Sequence, residues 1–288
     1  MNKYNRLKNF RHDTYEMLVK SKDATFELMD SIMTRENARS LAQFSLSPFF
    51  QRQWCSTYEA IEDSRPNGNK LMKRYTQEID TLEYTLLGID HTQWECKDSP
   101  TMKDRGYQYS HSSLNSSVVG QGYSTIAWLP PLKEKKTGSL HRPLWLIWVG
   151  EEFLSLEYIW SQYKRRFGLE HWYRFAKQRL HWTLPNFRTP DRCQRWSNLI
   201  VNITWQLWLS KDLVQEHHLP WQKPQQNLTP GRVALSMTSL LIEIGSPTLS
   251  PKSRGKSHGW PQGGKRNKAK VYPTIKKQQS KSKKRGKT

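Results

Sequence analysis

The chain has 288 residues, of which 35% are hydrophobic, enough apolar material for a folded core and too much for disorder throughout. Its longest apolar runs, Leu144 to Val149 and the interrupted run Leu199 to Leu209, fall short of the ~20 residues a membrane helix needs. The N-terminus, Asn2-Lys3-Tyr4-Asn5-Arg6, has no apolar block behind it, so a cytoplasmic protein is expected. Lys and Arg total 46 against 25 Asp and Glu, a net charge of +21. A chain this basic favours polyanions, nucleic acid first, because neutralising phosphates releases condensed counterions. The segment Ser246 to Thr288 carries fourteen basic residues and no acidic one.

Asp23 to about Leu82 reads as helical, with Phe26, Leu28, Met29, Ile32 and Met33 near three- and four-residue steps. Ser45 to Pro48 interrupts it, Gln53 to Ile61 forms a second helix, and Lys70 to Leu82 a third after the turn Ser64 to Gly68. Tyr84 to Ile89 then reads as a buried strand ending in Asp90, followed by His91 and Thr92. Gly122 to Leu129 is a second strand, closed by Pro130 and Pro131, and Leu144 to Val149 a third, with a basic surface turn, Lys133 to Gly138, between them. Glu151 to Trp182 reads as one long helix stopped by Pro185, and Asp191 to Leu213 as another, ended by Pro220. Val233 to Ile244 fits a helix or a strand, and the Gly-, Pro-, Ser- and Lys-rich tail is expected to stay disordered until it meets DNA.

Tyr163, Arg166, Glu170 and Lys177 stand at the spacing Y-x2-R-x3-E-x6-K. On a helix these positions fall within an arc of about 60°, with Leu169, Trp172 and Ala176 roughly opposite to bury it. One reading is a solvated charged face with an Arg166–Glu170 pair worth a few tenths of a kcal/mol. The other is a site for metal and phosphate, in which Glu170 ligates a cation and the bases hold a DNA backbone. A second carboxylate at a strand tip, Asp90, favours the second. The remaining motifs carry less. Cys55, Cys96 and Cys193 have neither zinc-ligand nor disulfide-framework spacing. Gly120-Gln121-Gly122 reads as a turn, not a nucleotide loop, and His217-His218 as exposed. Trp172, Trp182, Trp205 and Trp208 read as core.

The Tyr163, Arg166, Glu170, Lys177 spacing resembles the Tyr-Arg-Glu-Lys signature of a branch of DDE transposases from bacterial insertion sequences. Ile89-Asp90-His91-Thr92, Gly120-Gln121-Gly122-Tyr123-Ser124-Thr125, the run Glu170 to Lys177 and Ala38 to Pro48 resemble the same branch. The resemblance implies an α/β fold with a ribonuclease H-like core over residues 83–245, an all-helical DNA-binding region over 1–82 and a disordered basic tail over 246–288. It also implies Mg²⁺ (Mn²⁺ as substitute) held by three acids that drive in-line attack on a phosphodiester. By position Asp90 is the first acid and Glu170 the third, both catalytic and metal-binding. Tyr163, Arg166 and Lys177 hold the transposon-end DNA. The implied partners are insertion-sequence terminal repeats, target DNA and a second copy in a homodimer, in a nucleoid-associated protein without a membrane or small-molecule substrate.

The second aspartate of the family is missing. Between Asp90 and Glu170 stand only Asp98 and Asp104, neither after an apolar strand, and the interval is short. An internal deletion near Leu132 to Arg142 explains both facts. The expected function is therefore DNA transposition with cutting impaired, or, alternatively, a non-catalytic DNA-binding remnant that occupies element ends. A generic RNA-binding protein gives no reason for Glu170 amid those bases.

Overall fold

A computed structural model describes residues 2–80, 85–109, 117–130, 154–218, 220–224, 227–253, 262–265 and 267–276. Within them lie five N-terminal helices, α1 (Lys3–Glu16), α2 (Lys22–Thr34), α3 (Leu41–Phe44), α4 (Cys55–Asp63) and α5 (Gly68–Thr76). Three strands follow, β1 (Leu87–Glu95), β2 (Gly106–Tyr109) and β3 (Ser117–Trp128), then α6 (Leu156–Arg165), α7 (Phe167–Gln178), α8 (Pro190–Ser210) and α9 (Pro230–Ile244). The fold is mixed α/β, with a small antiparallel sheet in the order β1-β3-β2. No helix of the described residues is long and apolar enough to cross a membrane. The expected strand at Leu144 to Val149, the turn at Lys133 to Gly138 and the deletion point near Leu132 to Arg142 lie outside the described residues, as does the end of the chain from Lys277.

The helical core is built around α2 and α8. Every residue of α2 from Ala24 to Met33 is buried, so this helix is surrounded on all sides. On α8, Cys193, Trp196, Leu199, Ile200, Ile203 and Leu207 recur at helical spacing and are buried. Thr189 caps α8 and Pro190 opens it, where the missing N–H costs nothing. Helices α1, α4 and α9 close around this pair, and one hydrophobic cluster runs from Leu7 through α2 and α8 to Ile244. The N-terminal helices thus share their core with helices more than a hundred residues away in sequence.

Several sequence expectations need correction. The helical N-terminal region expected over 1–82 includes α1, ahead of the first periodic run at Asp23; Lys, Arg and Asn dilute its apolar positions, yet Leu7, Phe10, Thr14 and Tyr15 form a buried stripe and Asn2 caps it. The expected long helix from Glu151 to Trp182 starts at Leu156, breaks at Arg166 and ends at Gln178. Its start is set by Ser155, whose hydroxyl accepts from the Tyr158 N–H at 3.2 Å. Val233 to Ile244 is helical. Gly120 to Gly122 is no turn but part of β3. A Cβ on Gly120 would collide with the carbonyl oxygen of Trp94, and one on Gly122 would stand 2.6 Å from the His91 ring. Both glycines permit close strand approach. The tail is tied down in part: the Leu249 N–H donates to Asp23 at 3.0 Å, the Ile275 N–H donates to the Arg105 carbonyl at 2.8 Å, and Ile275 bridges to Gly106 beside β2.

Near the first of these ties Glu27 is buried on α2, accepting from the Gln51 N–H at 3.0 Å with the Arg52 guanidinium 3.5 Å away. Burial raises its carboxyl above the usual range, Arg52 and the Gln51 N–H pull it down, and Asp23 pushes it up again. A raised carboxyl means the folded chain holds this proton more firmly than the unfolded one. The cost of the charge is therefore carried at neutral pH and relieved as pH falls through the folded-state value. Glu27→Gln is expected to raise the urea midpoint at neutral pH, with the advantage gone below about pH 4. Equal gains at both pH values would show that the charge is not what costs stability.

Candidate functional site

The sheet meets the helices through one face of β1. Side chains alternate along a strand, so Gly88, Asp90, Thr92 and Trp94 share a side. Thr92 and Trp94 are buried, and the Trp94 indole N–H donates to the Pro185 carbonyl at 3.2 Å. A Cβ on Gly88 would meet Leu169 of α7 at 3.3 Å, so the first turn of α7 lies across the start of β1. The opposite side is open: Leu87 is 53% and Ile89 74% exposed. This corrects the expectation of a strand buried on both faces and ending at Asp90. β1 continues to Glu95, and Asp90 is exposed in mid-strand, opposite Thr125 of β3.

Helix α7 carries the centre of the signature. Leu169, Tyr173 and Ala176 are its buried residues, Trp172 being only half-buried. Glu170 and Lys177 lie on the flank of this face, on one stripe two turns apart. The Tyr173 hydroxyl hydrogen-bonds to Thr125, the cross-strand partner of Asp90. Burial raises the Tyr173 phenol above its usual range, the Thr125 contact lowers it, and the charge of Asp90 raises it again. Burial pulls the Lys177 ammonium below the usual lysine range, and Asp90 partly restores it. Asp90 is thus within electrostatic reach of both side chains. Tyr173 and Thr125 were not singled out as site residues, although the three-residue step from Glu170 to Tyr173 already places them on neighbouring stripes.

The other signature residues stand at the junction of α6 and α7. Arg166 caps the break, its N–H bonding to the Tyr163 carbonyl at 3.0 Å and its own carbonyl accepting from Leu169 N–H at 2.9 Å. These three-residue hydrogen bonds tighten the turn, so Tyr163 and Glu170 belong to two helices instead of one. The arginine bridges them. Its guanidinium lies 4.9 Å over the Tyr163 ring and 3.1 Å from the Glu170 carboxylate. Tyr163 also stacks on Trp160, with centroids 5.8 Å apart. Arg166 and Glu170 are 52% and 49% exposed, so the pair is screened by solvent and leaves Arg166 open to a stronger anion.

Asp98 and Asp104 follow the other end of β1. Gln121, the partner of Trp94, donates to the Asp104 carbonyl at 3.2 Å, and Asp104 has a positive φ of 62°. Asp90 is four residues from Trp94 along the strand, about 13 Å of extended backbone. Neither of these aspartates joins Asp90 and Glu170. Among the described residues no group of three or more His, Cys, Asp or Glu could hold a metal ion. The described donor set, with Glu170 bound to Arg166, does not fit a two-ion centre. The remaining candidates are structural. Trp182 is buried and donates to Ser197 at 2.8 Å, Trp172 donates to Thr204 at 3.1 Å, and Trp205 stacks on Trp128. Trp208 meets Trp128 edge to face, and His217 and His218 are exposed.

No protein-family model matches the chain, and no solved structure matches it. Among curated proteins it is similar to alpha-protein kinase 1 of Mus musculus, 27% identical over 166 residues. That match covers 50% of this chain and 13% of the mouse protein.

Proposed function

We propose that the chain is a DNA transposase of the DDE type, with a ribonuclease H-like core, that recognises insertion-sequence ends while its strand-cutting step is impaired. The observation that carries this reading is the meeting of α7 with β1. Lys177 lies in the field of Asp90, Tyr173 is tied to the strand beside it, and Arg166 stands exposed one turn before Glu170. The charge of +21 supports a polyanionic partner. Arg166 and Lys177 hold phosphates of the end DNA, and Tyr163, braced between Trp160 and Arg166, packs against the same strand. The ends are bound by a homodimer in the nucleoid-containing cytoplasm.

Complete two-ion catalysis with Mg²⁺ or Mn²⁺ needs a third acid beside Asp90 and Glu170. The placement of Asp98 and Asp104 beyond the far end of β1, and the engagement of Glu170 by Arg166, favour the second form of the reading. In that form the protein occupies element ends without cutting them. The test is fluorescence anisotropy with duplexes carrying the inverted repeats that flank the chain's own gene, against scrambled duplexes. Preferential binding that weakens in Arg166→Ala/Lys177→Ala is expected. Equal binding of repeat and scrambled DNA overturns the assignment to element ends.

A further inference from the structure

Away from α7 and β1, a groove of about 480 Å³ runs between α3–α4 and the segment Leu184 to Arg188 that leads into α8. Its floor is apolar, with Phe44 and Phe187 buried. Its rim is basic: Arg39, Arg188 and Arg192 line it against one carboxylate, Glu62. Glu62 is already taken by Arg192 at 2.5 Å. Arg39 and Arg188 are exposed. Tyr58 of α4 lines the groove and is 43% exposed, and just outside the lining Trp54, 62% exposed, meets it edge to face with centroids 6.1 Å apart. His181, on the wall, is held at a positive φ of 58°. Its Nε2 has no hydrogen-bond partner among the described residues. Burial and the charge of Arg179 lower its pKa below the usual histidine value, against a backbone hydrogen bond at Glu36 that raises it.

We infer that this groove binds an unpaired stretch of nucleic acid strand, with Arg39 and Arg188 on its phosphates and Tyr58 and Trp54 stacked on its bases. The inference rests on the nucleic-acid reading above and extends it from duplex ends to single strands. Two exposed rings beside two cations call for an occupant that is anionic along its length and offers flat faces. A duplex keeps its base faces inside the stack and can use only the arginines. An acidic peptide satisfies the arginines and leaves the rings wet.

The test uses the full chain and a fluorescein-labelled oligothymidine of about a dozen nucleotides, a length suited to a single-strand groove. Tyr58→Ala is expected to weaken binding about fivefold to a hundredfold, the range for loss of one base–aromatic stack. Tyr58→Phe keeps the ring and is expected to bind as the parent does. Arg39→Ala/Arg188→Ala is expected to lower the salt slope by about 1.4, two single-strand phosphate contacts. Duplex-end binding should stay unchanged in both Tyr58 variants, and all three variants, whose altered side chains are exposed, should keep the parent's thermal midpoint. Unchanged oligothymidine binding in Tyr58→Ala and the double variant overturns the groove assignment, as does displacement by polyglutamate as easily as by unlabelled oligothymidine. Binding of duplex ends without oligothymidine removes the groove alone. Binding of neither removes the nucleic-acid reading as well.

Discussion

Asp30→Ala is expected to cost about 3–5 kcal/mol of folding stability, the effect of breaking a buried ion pair from one side. Asp30 receives both terminal nitrogens of Arg11 at 2.9 Å, and both side chains are only 2% exposed. The same guanidinium donates to Gln206 of α8 at 2.5 Å and to the carbonyl of Gly245, just after α9, at 3.4 Å. Four helices therefore converge on one cation, and removing the carboxylate leaves that charge buried among neutral acceptors. A domain typically holds only about 5–15 kcal/mol in reserve, so the variant should lose a large fraction of its urea resistance. Arg11→Met/Asp30→Leu, which removes both charges, should recover most of it. If the single variant costs less than about 1 kcal/mol, the pair is solvated and the four helices are not locked through it.

The second large effect is expected at the DNA. In Arg166→Ala/Lys177→Ala two phosphate contacts disappear, which should lower the slope of log affinity against log salt by about 1.8 on duplex ends. At moderate salt that corresponds to a loss of about tenfold to a hundredfold in affinity. Stability should change little at Arg166, since its pair with Glu170 is half exposed. At Lys177, removal of a partly buried ammonium relieves desolvation and should be neutral or mildly stabilising. Loss of DNA binding with retained stability separates an interface role from a structural one. An unchanged salt slope would show that the phosphates lie elsewhere.

Helices whose apolar positions stand clear of charge were legible in the sequence. Phe26 to Met33 marked α2, and Pro190 marked the start of α8 within one residue, while its end, read at Leu213, comes at Ser210. The position of α1 was hidden because its buried face includes Arg11, a charged residue whose partners on α2, on α8 and just after α9 no local pattern reveals. The break at Arg166 was equally hidden. The periodicity runs through it, and only the three-residue hydrogen bonds at Tyr163 and Leu169 show where the helix tightens. The stripe of Arg166, Glu170 and Lys177 could be read from spacing, but the electrostatic reach of Asp90 to Lys177 could not, because that depends on α7 crossing β1 at Gly88. The depth of β1 was misjudged for a related reason. An apolar run does not say which of its faces is covered, and Ile89 faces solvent. The groove at Arg39 and Arg188 joins residues almost 150 positions apart and carries no sequence signal at all.

The most direct measurement is Mg²⁺- or Mn²⁺-dependent nicking of a labelled duplex carrying the element's own ends, run beside a binding assay on the same DNA with the parent, Asp90→Ala and Glu170→Ala chains. Specific binding of the ends by all three chains, with no metal-dependent cut by any, is the expected result for a transposase whose cutting step is impaired. Nicking by the parent that vanishes in both variants would contradict that account and demand a third acid, Asp98 or Asp104 first. Absence of any preference for the ends would contradict it at its root.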